Sequence, residues 1–260
     1  MKLEKIVEAV EAIAPPMLAA DFDNPGLLID NDGSDIKKVL VALDCTPPVA
    51  DEAARGGYDL VITHHPLIFN PIKMISENSS VTAVVKKLIR SNIAFYCAHT
   101  NLDIADGGVN DVLASIFGLR NVEKGEPENY VRIGYLPIEM SLYDLIRLTN
   151  EKLHTVSRCA VANFRNDPEN IAIRRVAVLG GAGGGDTELV KAYDADAFIT
   201  GEIKHNQAID AQHIGLSVIE AGHYETERVV LAPLINYLQK ATFGVEYKMS
   251  ECERSPLYTF

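Results

Sequence analysis

The sequence predicts an α/β protein of two similar α/β lobes, each a mostly parallel sheet flanked by helices. Two observations carry this expectation. Short apolar runs of strand length alternate with segments of helical spacing, and the order strand–helix–strand implies parallel strands joined by right-handed crossovers. The alternation pauses at a polar stretch near the middle of the 260 residues and then resumes on the same plan.

The opening MKLEKIVEAVEAIAPP interleaves Glu4, Glu8 and Glu11 with apolar residues, the pattern of an amphipathic helix and not of a secretory leader. DNPGLL (Asp23 to Leu28) has turn composition, with Asp23 or Asn24 as candidates to border a cleft. VLVALD reads as a strand ending at Asp44, PPVADEAARGG as a short helix stopped by glycine, and YDLVITHH as a second strand. SSVTAVVKKLIRSN follows as a helix capped by Ser79 or Ser80, and IAFYCAHT as a third strand.

LRNVEKGEPENYVRIG (Leu119 to Gly134) is polar and carries Gly125 and Pro127, so the lobe boundary is expected there. The first lobe is accordingly drawn to residue 124, and the second begins at 125. Beyond the boundary come a helix at SLYDLIRLTNEKL, a strand and glycine loop at RRVAVLGGAGGGD, and a helix at TELVKAYDA. A strand at DAFITGE, a helix through HNQAIDAQHIG, a strand at LSVIEAG and a helical region from His223 complete the series.

No apolar run reaches the roughly eighteen residues that a membrane span needs. The four cysteines are scattered and form no CxxC pair, which argues against a disulfide framework or a cysteine zinc site and fits a reducing cytoplasm. With 24 basic and 36 acidic side chains the formal charge is −12, and a surface of that sign repels polyanions. General nucleic-acid binding is disfavoured; a small phosphorylated substrate beside a bound cation is not.

In open parallel sheets, ligands bind beyond the carboxyl ends of the strands. Those ends carry His64 and His65, then His99 and Asp103, then Glu202 and His205, and finally His223 and Glu227. Neutral imidazole and carboxylate together suit a first-row divalent cation such as zinc, manganese, iron or cobalt. In an extended strand His64 and His65 point to opposite faces, so only a turn near Pro66 lets both reach one cavity. His223 and Glu227, four apart at a helix start, share a face, and Asp103 and Glu227 are the candidate bridging carboxylates.

Each feature also has a plainer reading. The histidine pair fits a polar strand end, the HxxxE pair a surface contact, and HTNLD a capping turn. Their coincidence at three strand ends favours a shared site. GGAGGGD matches neither GxGxxG nor the P-loop pattern, so a tight turn or close backbone approach is the expected reason for its glycines. No GxSxG elbow occurs, and no cysteine stands in a nucleophile context.

With DNPGLL, THHPLIF, AHTNLD, VAVLGGAGG, ADAFITGEIKH and AGHYETER in place, the chain resembles the GTP cyclohydrolase 1 type 2 family over essentially its whole length. The resemblance implies that His64, His65, Asp103, His223 and Glu227 bind two divalent metals per subunit. It further implies two α/β lobes with the C-terminal segment returning to the first, so that the first lobe is 1–124 plus 226–260 and the second 125–225, a toroidal homohexamer, and the short form without a central inserted domain. Phe22 stands where many relatives have tryptophan, a difference expected to touch packing.

The function expected is a metal-dependent hydrolase acting on a nucleotide-like small molecule, GTP ring opening by resemblance. His99 and His205 are the candidates for moving protons, His99 preferred for its nearness in sequence to Asp103. The rival readings are a two-metal phosphoesterase and a non-enzymatic metal-binding or scaffold protein.

Overall fold

The computed structural model describes residues 1–258; positions 259–260, the end of the span assigned to the first lobe, lie outside the described residues. The chain opens with α1 (Leu3–Ile13), β1 (Gly26–Ile29), β2 (Lys38–Ala42), α2 (Pro47–Gly56) and β3 (Leu60–Thr63). Next come α3 (Ser80–Arg90), β4 (Ala94–Cys97), α4 (Thr100–Ile104), α5 (Val109–Ile116), β5 (Arg120–Lys124) and β6 (Arg132–Ser141). These are followed by α6 (Leu142–Leu153), β7 (Arg158–Ala160), β8 (Ala172–Leu179), α7 (Thr187–Ala192), β9 (Ala197–Thr200) and α8 (His205–His213). The remaining elements are β10 (Ser217–Glu220), α9 (His223–Glu227), α10 (Leu231–Ala241) and β11 (Glu246–Met249). Among the described residues no helix is long and apolar enough to cross a membrane.

The elements form two compact units, the first built from Met1–Gly108 with Val230–Arg254, the body of the second from Val109–Val229. The first unit holds a sheet in the order β1-β4-β3-β2-β11, parallel except where β1 runs against β4. All four residues of β3 and all four of β4 are buried, as expected of strands covered on both faces. Ala50 and Ala53 of α2 and Val84 and Leu88 of α3 pack with Leu40, Val61 and Phe95 of the sheet. Pro47 begins α2, where its missing N–H costs nothing, and Gly57 at φ 63° ends it. Ser79 caps α3 by accepting from the Thr82 amide.

The second unit's sheet runs β5-β6-β8-β9-β10-β7. Its parallel core, β8-β9-β10, is flanked by antiparallel pairings at β5, β6 and β7. The polar stretch read as a boundary therefore supplies β5 and the start of β6, an antiparallel pair. The units divide instead at 108/109, because Leu113, Ala114 and Phe117 bury against Leu145, Val176 and Ile199 of the second core. They divide again at 229/230, after α9, since Val229 packs on that core while Leu234 and Leu238 of α10 are buried within the first unit. The C-terminal return is a strand: β11 lies parallel to β2, pairing Tyr247 with Val39.

Candidate metal centre

In the first unit two strand ends, those of β3 and β4, bring three imidazoles together. His64 and His65 follow β3 directly, and the chain bends there because Thr63 Oγ1 donates to the His65 carbonyl at 2.7 Å just before Pro66. The bend puts the two rings 5.0 Å apart, and the His99 ring lies 5.2 Å from His64 and 5.5 Å from His65. One ring nitrogen from each of the three lies within 4.8 Å of the others, close enough to share an ion. Asp103, one turn after His99 on α4, places Oδ1 3.5 Å from His64 Nε2.

Each ring is oriented through Nδ1. His64 Nδ1 is 2.9 Å from the Ala98 carbonyl, His65 Nδ1 is 2.9 Å from Asp44 Oδ1, and His99 Nδ1 is 2.7 Å from Asp23 Oδ1. A carbonyl can only accept, so Nδ1 of His64 carries the proton and Nε2 presents the lone pair. Burial works against the charge of Asp23, but hydrogen bonds from His99 and Thr100 outweigh it and hold the carboxyl far below the usual carboxylate range. Asp23 is thus an acceptor too, and His99 donates to it through Nδ1. Donation of Nδ1–H to a carboxylate or carbonyl is the outer-shell pattern of metal-binding histidines. His65 and Asp44 also line a cavity of about 220 Å³ with Thr46, Ser80 and Val84.

The second unit repeats the device. His223 opens α9, with Nδ1 3.0 Å from Glu202 Oε1 and Nε2 3.0 Å from Oε2 of the buried Glu227, four residues on. The glycine loop after β8 makes room for this pair. Its amides are committed to the protein: Gly181 N–H donates to Thr226 Oγ1, Gly183 N–H to Thr200 Oγ1, and Gly184 N–H to the Glu202 carbonyl. A Cβ on Gly181 would fall 2.1 Å from Glu227 Oε1 and 3.3 Å from His223 Nε2, and the residue sits at φ +64°. Close backbone approach explains these glycines.

The structure therefore brings His64, His65, His99 and Asp103 together in one unit and His223 with Glu227 in the other. His205, by contrast, is exposed on the first turn of α8, and Glu202 is the partner that orients His223. Sequence reading passed over Asp44, although it too ends a strand run, and treated Asp23 only as a possible cleft residue. The donor set fits divalent metal: imidazoles with Nδ1 tied, carboxylates beside them, and a glycine cradle that a side chain would fill.

Two α/β sheets whose strand ends carry steered imidazoles and carboxylates define a protein with groups that could bind metal. Residues 1–256 match Duf34/NIF3 (NGG1p interacting factor 3), and the chain belongs to this family. It is 32% identical over 264 residues to a GTP cyclohydrolase 1 type 2 homolog of Clostridium perfringens, covering 98% of each chain. A Bacillus cereus protein related to NIF3 has the same fold, with a TM-score of 0.90, 24% identity, and coverage of 100% of this chain and 99% of that one. Reduced HcgD from Methanocaldococcus jannaschii is similar at a TM-score of 0.82 and 30% identity, over 96% and 98% of the two chains.

Proposed function

We propose that the protein is a divalent-metal-dependent hydrolase of a nucleotide-type substrate, with two cations held by His64, His65, Asp103, His223 and Glu227. The observation that carries this reading is the shared orientation of the imidazoles, each tied through Nδ1 to a carboxylate or carbonyl. Bound there, such cations supply an acidified water and a Lewis acid for the substrate's electrophilic centre. The chain's own residues do the rest. Asp44 and Glu202 hold His65 and His223 in position. His99, fixed by Asp23, offers Nε2 to take up or release a proton at the reacting group.

GTP is the first substrate to examine, since the Clostridium perfringens relative is described as a GTP cyclohydrolase 1 type 2 homolog. Ring opening at guanine C8 with release of formate is the reaction expected. A toroidal homohexamer in the cytoplasm belongs to the same reading, and light scattering of the purified protein tests the assembly.

The deciding experiment measures metal content after purification without added metal, then products after incubation with GTP, beside His65→Ala and Glu227→Ala controls. Formate and a pterin triphosphate support ring opening. Inorganic phosphate would move the assignment to a phosphoesterase, and full occupancy without either product to a metal-binding or scaffold protein. Activity retained in Glu227→Ala would detach the chemistry from this centre.

A further inference from the structure

Two phenyl rings lie open beside the imidazoles of the first unit: Phe22 is 70% exposed and Phe69 43%. Phe22, expected from the sequence to be a packing residue, is not part of the core. Leaving a phenylalanine exposed forgoes roughly 1.5–3 kcal/mol of burial, so two such rings side by side call for an explanation. They meet edge to face, with centroids 6.4 Å apart at 62°, and Phe69 in turn meets His99 at 6.3 Å and 86°. Phe22, Phe69 and His99 thus form one aromatic row that ends at an imidazole of the candidate centre.

The row is held from both sides. Phe22 adjoins Asp23, which is fixed by His99 and by the Thr100 amide at 3.1 Å. Asn24 donates through Nδ2 to the Ile68 carbonyl at 2.6 Å, tying the turn that carries Phe22 to the segment that carries Phe69. Phe69 also lines a cavity of about 380 Å³ with Leu67, Ile72, Val81, Asn70 and Lys73. That volume lies within the range of small-molecule sites, and the lining mixes apolar side chains with polar ones in similar measure. Two phenyls meeting at 62° make a corner, in which a flat ring lying on one face rests its edge against the other.

The geometry points to Phe22 and Phe69 as the stacking corner for the heteroaromatic ring of the substrate, which they hold next to His99; the ligand class rests on the nucleotide-hydrolase reading above. A sugar phosphate without a base has no use for such a corner. Base–aromatic stacking is worth about 1–3 kcal/mol per base, which corresponds to about 5- to 150-fold in affinity.

The test is equilibrium dialysis of the full-length, manganese-loaded protein against guanosine, guanosine 5′-phosphate and ribose 5-phosphate. Phe22→Ala and Phe69→Ala should each weaken guanosine and guanosine 5′-phosphate by about 5- to 150-fold, with metal content and oligomeric state unchanged. Phe22→Trp should restore binding, and Phe69→Leu, which keeps an apolar side chain, should still lose it. The proposal is overturned if the wild type binds no guanosine or binds ribose 5-phosphate as tightly as the nucleotide. It is overturned equally if both alanine variants bind normally, or if they alter only the oligomeric state, which would mean that the corner seats a second copy. Phe-dependent guanosine binding without GTP turnover would uphold the corner and sink the hydrolase assignment; turnover with Phe-independent binding would do the reverse.

Discussion

His65 and Asp44 extend from the ends of the adjacent parallel strands β3 and β2 and meet with Nδ1 2.9 Å from Oδ1. The contact joins two backbones already held in register, so the ring has little freedom to swing. Asp44→Ala removes the acceptor and leaves the strands intact. Metal affinity should fall about 10- to 100-fold, as it does when outer-shell partners of ligating histidines are lost. Competition with a chelating dye measures it, and an unchanged affinity would remove Asp44 from the account.

Much of the first unit's half of this arrangement was legible because its strands are unbroken apolar runs, and His64, His65, His99 and Asp103 stand immediately beyond them. Edge strands were harder to see. β1, β5, β7 and β11 lie at the sheet edges, and all of Arg120–Glu123 in β5 is exposed, so no apolar run marks it. Their pairing is decided by tertiary neighbours and not by pattern. The role of Asp44 was within reach of the strand-end rule. That of Gly181 was not, since its cause is a carboxylate that follows 46 positions later, Glu227, folding back against the loop.

Gly181→Ala tests that packing directly. The added methyl would sit 2.1 Å from Glu227 Oε1 at a residue with φ +64°, so a clash adds to backbone strain. Gly33, at φ +81° with nothing within 4 Å of its would-be Cβ, isolates the strain alone. Gly33→Ala should cost about 1 kcal/mol, and Gly181→Ala about 2–3 kcal/mol or more once the displaced carboxylate is included. Thermal unfolding gives the first difference. Metal titration gives the second, because only Gly181→Ala should disturb binding.

The thiols should be quiet. Burial pushes Cys45, Cys97 and Cys159 each up to about 12, with the Asp44 carboxylate adding to the effect at Cys45. The thiolate is the reactive form, so at pH 8 a thiol reagent should reach these three only on unfolding. The sign of the pH dependence follows. The folded values are raised, so the stability these groups contribute is complete below the ordinary thiol value of 9.0 and is lost as the pH rises toward about 12. A melting temperature that stayed level across that interval, or rapid labelling of all four thiols, would contradict the burial argument.

The C-terminal return of the first unit depends on two glutamates. Glu253 Oε2 accepts from the Leu43 amide at 2.5 Å, just beyond the paired ends of β2 and β11. Glu52 on α2 accepts from the amides of Glu251 and Cys252, each at 3.1 Å, and from Ser250 Oγ. Glu253→Ala strips a buried amide of its acceptor, a loss of about 1–3 kcal/mol, whereas Glu253→Gln keeps a carbonyl in place and should recover part of it. Hydrogen exchange at Leu43 and along β11 reads the local opening. Glu52 adds an acid limb: burial opposes its charge, but the hydrogen bonds from Ser250, Glu251 and Cys252 win and hold its carboxyl below the ordinary value. Its contribution is therefore present above the unfolded carboxylate pKa and is lost as the pH falls through the lower folded one. Protection of β11 should drop on acidification in the wild type and less so in Glu52→Gln; equal pH profiles for the two would show that the clasp does not hold the strand.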